Sequence, residues 1–165
     1  MKKTFVLCLL FTLLNNCGNW EFVHKTNKFD YIIKDATNII VSGNDSSSVY
    51  NALVNTIGDK EDEFPNYQLS VNSIKKESAE VIGKDATATK FSIKYSISYD
   101  LYNLYKECNI LNKEVSTIGT YNAQSEGHSF GTDLSQKESS EKIIERNINE
   151  FLFFLNSLSS IDSCN

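Results

Sequence analysis

The strictest pattern in the chain runs from Phe91 to Leu101. Odd positions read Phe91, Ile93, Tyr95, Ile97, Tyr99 and Leu101; even positions read Ser92, Lys94, Ser96, Ser98 and Asp100. Strand side chains alternate between two faces with period two. Residues 87–101 are therefore predicted to be one long strand with an apolar and a polar face, and the Tyr, Ile and Phe content suits a strand. One face needs a cover. The other needs water or something equally polar.

Upstream, residues 29–34 alternate weakly, and 38–42 (NIIVS) predict a first core strand. Asp45 or Ser46 is placed to N-cap a helix over 47–57, whose Val49, Tyr50, Leu53, Val54 and Ile57 share one face. Gly58 follows at the C′ position. Tyr67, Leu69 and Val71 predict a second strand reaching towards Ile74, and residues 75–84 read as a turn region. Residues 106–109 turn the chain again. A fourth strand is expected over 114–121, with a bulge near Gly119 reconciling the opposite faces of Val115 and Ile118. Residues 122–132 read as a polar loop. A last helix of about 24 residues is expected from Asp133, with Ser135 and Glu138 as a capping box. Its stripe is Ile144, Ile148, Phe151, Leu155 and Leu158, widened by Ile143, Leu152 and Phe154.

The order is β-α-β-β-β-α. It predicts an α+β, two-layer sandwich over residues 29–158, with a roughly four-stranded mixed sheet and two helices packed on one face. Residues 159–165 would be a flexible tail. The uncovered sheet face would carry Lys90, Ser92, Lys94, Ser96 and Ser98.

The N-terminus reads as a targeting segment. Lys2 and Lys3 precede an apolar run from Phe5 to Leu14, too short to cross a bilayer as a stable helix. The run ends in Leu14-Asn15-Asn16-Cys17-Gly18, which is similar to a bacterial lipobox, although small residues are usual where the two Asn stand. Residues 1–16 would then be a signal peptide, Cys17 the acylated first residue, and 17–28 a tether with Trp20 and Phe22 able to pack. Several acyl chains on one residue anchor a protein stably. An ordinary secretion signal or a signal anchor is the alternative. Of the other cysteines, Cys8 leaves with the signal. Cys108 and Cys164 could pair in an oxidising compartment, but distance along the chain does not decide it.

Length, 41% hydrophobic and 12% aromatic residues indicate one folded domain with a core. A net charge of −5, with a single Arg (Arg146), argues against nucleic-acid binding. The acidic loop at 59–65 (DKEDEFP) lacks the ligand spacing and central glycine of an EF-hand. No Cys/His spacing indicates a metal site, and no cofactor motif stands out. His24 and His128 have no nucleophile and orienting acid at a recognisable spacing. A Cys108–His128 pair is the nearest approach to a catalytic set. The residues themselves point to a membrane-tethered binding or scaffolding domain, not an enzyme.

Taken together, these features resemble the LPS-assembly lipoprotein family, LptE. The resemblance rests on Cys17-Gly18 followed by Trp20 and Phe22, on the helix at 48–58 (SVYNALVNTIG), and on the strand pair over 67–101 with Asp85-Ala-Thr-Ala-Thr-Lys90 between its strands. It extends to Thr120-Tyr121-Asn122, the polar loop and the long last helix. Departures are Asn15-Asn16, Lys90 where many relatives place Arg, and a short tail. The resemblance implies a non-enzymatic outer-membrane lipoprotein on the periplasmic side, plugging the large β-barrel LptD and assisting lipopolysaccharide insertion. It makes Lys90 and Lys94 candidates for lipid A phosphates. The competing expectation is an auxiliary lipoprotein of an ABC-type envelope lipid transport system.

Overall fold

A computed structural model describes residues 33–59, 64–82, 88–123, 129–158 and 164. The signal peptide, Cys17 and the tether lie outside the described residues, as does His128. The elements are β1 (Thr37–Gly43), α1 (Ser46–Ile57), β2 (Tyr67–Ile82), β3 (Ala88–Asn103), β4 (Cys108–Asn122) and α2 (Ser129–Ser157). The sheet order is β1-β2-β3-β4, with β1 parallel to β2 and the later pairs antiparallel. Parallel neighbours need a crossover, and α1 supplies it. Both helices lie over one sheet face, giving the expected mixed-sheet α+β sandwich.

The alternation in β3 is realised in full. Ile93, Tyr95, Ile97, Tyr99 and Leu101 are buried, against Leu69 and Val71 of β2 and Val115 of β4. From the helices come Val49, Leu53 and Ile57, and Ile144, Ile148, Phe151 and Leu155. The Tyr99 and Phe151 rings stack with centroids 4.0 Å apart. Gly119 faces this layer closely: a Cβ there would lie 2.6 Å from the Ile143 side chain.

Several expected boundaries need correction. Residues 75–82 are strand, not turn: β2 pairs with β3 as far as Ile82↔Ala88. Apolar alternation stops at Val71, so only backbone pairing marks the rest; beyond Ser73, where β1 ends, β2 becomes the sheet edge and with β3 and β4 forms an arm of the sheet. The irregularity in the β3–β4 ladder is not at Gly119. It lies between Leu101 and Tyr102, whose partners Leu111 and Asn109 skip Ile110. Val115 and Ile118 simply face opposite ways. Asp45 sits at the α1 N-cap position with φ 49, but its side chain does not cap. Its carboxylate accepts a hydrogen bond from Tyr95 and pairs with Lys75 at 3.4 Å. Gly58 ends α1 as expected, with φ 74 and its N–H donating to the Val54 carbonyl at 2.9 Å. Finally, α2 begins at Ser129, so Ser135 lies inside the helix and forms no capping box. Within α2, Gln136 donates to Glu77 of β2 at 2.7 Å, and the Tyr121 hydroxyl donates to the same carboxylate.

Cys108 at the start of β4 is disulfide-bonded to Cys164, with Cα atoms 5.8 Å apart. The bond ties the chain beyond α2 to the turn between β3 and β4.

Burial, and for Tyr95 the neighbouring Asp45 carboxylate, pushes the phenol pKa values of Tyr95 and Tyr99 well above the usual value. Below about pH 10 these phenols are neutral in both folded and unfolded chains. Above it, only the unfolded chain releases their protons, so stability falls as pH rises. A urea midpoint that declines from about pH 10 upwards, with a shallower decline in Tyr99→Phe, is the expected result.

Candidate interaction surface

Among the described residues, nothing covers the second sheet face. Strand register fixes its rows: Asn72–Ser98–Glu114, Ile74–Ser96–Ser116, Lys76–Lys94–Ile118 and Ser78–Ser92–Thr120. The Ser96 and Ser116 hydroxyls are 2.8 Å apart, and Ser42 donates to the Asn72 side chain at 3.1 Å. Ile40, Ile74 and Ile118 stand singly among these polar groups, each about half exposed. Such a face has no need of an apolar partner. It can exchange hydrogen bonds with a wet, polar wall.

The two candidate lysines differ in setting. Lys90 lies towards the end of the arm, where an irregularity between Ala79 and Val81 brings Glu80 to 3.0 Å from its ammonium. Both side chains are more than a third exposed, so this pair contributes little stability, but it offsets the lysine's charge. Lys94 stands mid-strand directly opposite Lys76. Directly opposed residues have Cβ atoms about 5 Å apart, and like charges there repel. Neither has an ion-pair partner among the described residues. The register therefore creates a two-ammonium site that an anion would relieve. Lys76 escapes the sequence reading because it falls in the stretch taken for a turn; the signal that could have found it is even-position continuity from Gln68 through Asn72 and Ile74.

Elsewhere, an open groove of about 730 Å³ runs between the β1 edge and α1, lined by Ile39, Ile40, Val41, Tyr50 and Asn51 among others. Among the described residues no His, Cys or carboxylate lines it. Among the described residues no three His, Cys, Asp or Glu side chains gather to hold a metal ion, and no helix is long and apolar enough to cross a membrane. Of the Cys108–His128 pair, His128 lies outside the described residues and Cys108 is consumed by its disulfide.

No protein-family model and no curated protein matches the chain. Solved structures do. A lipoprotein candidate from Caulobacter crescentus superposes with a TM-score of 0.58 at 12% identity, over 74% of this chain and 89% of that one. The minor lipoprotein of Acinetobacter baumannii gives 0.55 at 9%, over 73% and 90%. The rare lipoprotein B of Shewanella oneidensis gives 0.51 at 11%, over 73% and 94%. At these identities the likeness is one of fold: the chain has a fold that these lipoproteins share.

Proposed function

We propose that the chain is an outer-membrane lipoprotein, acylated at Cys17 and held on the periplasmic side, that plugs a large LptD-type β-barrel and assists the insertion of lipopolysaccharide. It acts by binding, without catalysis or a cofactor. The observation that carries the reading is the bare Ser/Thr/Asn/Lys sheet face. A large outer-membrane barrel has a polar lumen and an apolar band about 25 Å tall. Strands β2 and β3, each 16 residues long, extend about 50 Å and are ample for that height. The shared lipoprotein fold and the sequence resemblance to LptE support the same reading.

Lys94 with Lys76 is the favoured contact for lipid A phosphates, since lysine ammoniums meet phosphates as point charges. Lys90 joins them only by exchanging Glu80 for phosphate. Replacing both Lys76 and Lys94 by Ala is expected to weaken lipopolysaccharide binding about tenfold or more, from two lost charge-assisted contacts at ~1 kcal/mol each. Lys90→Ala should cost less. Unchanged binding of the double variant would remove the phosphate assignment.

Co-purification tests the main reading. The tagged full-length protein, extracted from membranes in mild detergent, should bring down a large β-barrel protein in stoichiometric amount. Recovery of an inner-membrane ATPase or permease instead would reject the plug and favour an auxiliary role in ABC-type lipid transport.

A further inference from the structure

Sheet edges present unpaired backbone groups, and proteins blunt them with charge, irregularities or a covering element. Among the described residues the sheet has three edge stretches, and two are blunted. Along β4, side chains of α2 take backbone carbonyls: Arg146 donates to that of Ile118, and Ser139 Oγ to that of Thr120 at 3.4 Å. Beyond Ser73, where β1 ends, β2 carries Lys75, Lys76, Glu77 and Glu80. There the Asn44 side chain accepts from the Lys75 N–H at 3.0 Å, and the ladder to β3 is irregular beyond Ala79. The third stretch, β1, reads Thr-Asn-Ile-Ile-Val-Ser-Gly, with no charge and no proline.

Two hydrogen bonds fix which β1 groups face outward. The Ile39 N–H donates to the Asp59 carboxylate at 3.2 Å and not to β2. The Asn44 N–H, of the other parity, donates to the Ser73 carbonyl of β2 at 2.8 Å. In a parallel ladder, alternate residues turn both backbone groups to one neighbour, so the odd residues of β1 face outward. The Ile39 carbonyl and both backbone groups of Val41 have no hydrogen-bond partner among the described residues. Asp59, which also accepts from the Tyr50 hydroxyl, closes the edge at the Ile39 N–H alone. Beside Val41 lies the open groove of about 730 Å³, walled on the α1 side by Ser46, Ser47, Tyr50 and Asn51. None of the described residues that line it is charged.

A row of backbone donors and acceptors is matched by another extended backbone, which adds a strand to the sheet. An uncharged lining does not suit lipid phosphates. A second copy of the chain fits poorly: in a two-fold antiparallel pair an Asp59 carboxylate would stand between the strands at each end, leaving only residues 41–43 to pair. A segment of a different chain meets Asp59 at one end only. Its alternate side chains would enter the groove or lie beside Ile40, which is about half exposed.

We propose that the β1 edge at Val41 takes an extended, uncharged segment of the barrel protein as a fifth strand, held by backbone hydrogen bonds. The inference rests on the plug reading and deepens it: the bare face meets the wall, and the edge holds a segment that the barrel turns into its lumen.

Val41→Pro tests it. The substitution removes an outward N–H and sets a ring where the added strand would lie, while the β1–β2 ladder uses the N–H groups of the even residues. A photocrosslinker at Ser47, exposed in the groove wall, reports the edge; one at Ser96 reports the bare face. In cells both should crosslink to the same large β-barrel protein, Ser47 to one short uncharged segment of it. Val41→Pro should abolish the Ser47 crosslink and keep the Ser96 crosslink, which also shows that the variant folds. A measurement without the variant is hydrogen exchange at the Val41 amide, which should slow about tenfold or more in the purified complex relative to the free protein. A Ser96 crosslink without one from Ser47 overturns the added strand and leaves the plug standing. So does a Ser47 crosslink to a second copy, one that survives in Val41→Pro, or equal Val41 exchange in complex and free protein. Absence of any barrel crosslink from Ser96 overturns the plug and the inference with it.

Discussion

The Asn147→Ala variant is expected to lose about 3–5 kcal/mol of stability. Asn147 is fully buried in α2. Its Oδ1 accepts from the Tyr99 hydroxyl at 2.8 Å, and its Nδ2 donates to the Val115 carbonyl at 2.9 Å and to Thr117 Oγ1 at 3.0 Å. One amide thus connects helix, central strand and edge strand. Truncation leaves the Tyr99 hydroxyl and the Val115 carbonyl buried without that partner. Each such orphan costs about 1–3 kcal/mol, beyond the lost packing. Asn147→Leu fills the volume yet satisfies no partner, so it should not rescue. Tyr99→Phe removes one bond and should cost about 1–2 kcal/mol. In a double-mutant cycle the Asn147 and Tyr99 substitutions should be strongly non-additive. A fall in the urea midpoint with an unchanged slope is the signature. A loss under 1 kcal/mol would show that the network is not the link between layers.

Breaking the Cys108–Cys164 disulfide is expected to cost a similar amount, about 4 kcal/mol. The two residues are 56 apart in sequence, and the chain-entropy relation gives roughly that figure for a loop of this size. The loop contains nearly all of β4 and all of α2, so the bond restrains the helix that covers the sheet. Cys108→Ser, Cys164→Ser and the double variant should lose equal stability, because each removes the same bond. Added reductant should bring the native protein to the same midpoint. Stability indifferent to reductant would mean that the bond does not form in solution. A fold that depends on this disulfide belongs in an oxidising compartment, which agrees with a periplasmic location.

The sequence made the fold legible wherever burial leaves a period. In β3 every second residue is apolar because every second residue is buried, and the α2 stripe from Ile144 to Leu155 behaves likewise. Where burial ceases, so does the signal. Lys75–Ile82 carries no apolar alternation because, beyond the end of β1, it is a sheet edge whose side chains are mostly exposed, although its backbone pairs with β3. The turn Ser129–Thr132 at the start of α2 escapes the sequence reading because Ser, Gly and Thr are loop formers and no apolar stripe runs through them. Asp45 shows a different limit. Its type and position matched a cap, yet Tyr95, fifty residues away, takes the carboxylate. Of the candidate surface, the polar face and Lys94 were readable from the alternation alone. The opposition of Lys94 and Lys76, and the pairing of Lys90 with Glu80, depend on register and a local ladder irregularity that sequence period does not encode.

The central claim is that the bare sheet face, and not the helical face, meets the barrel wall. Site-specific photocrosslinking in cells tests it most directly, with the crosslinker placed in turn at Ser96 in the middle of the bare face and at Glu145 on the exposed side of α2. The account expects a crosslink from Ser96 to a large outer-membrane β-barrel protein and a much weaker one from Glu145. Crosslinking from Glu145 alone, or from Ser96 only to proteins of the inner membrane, would contradict it.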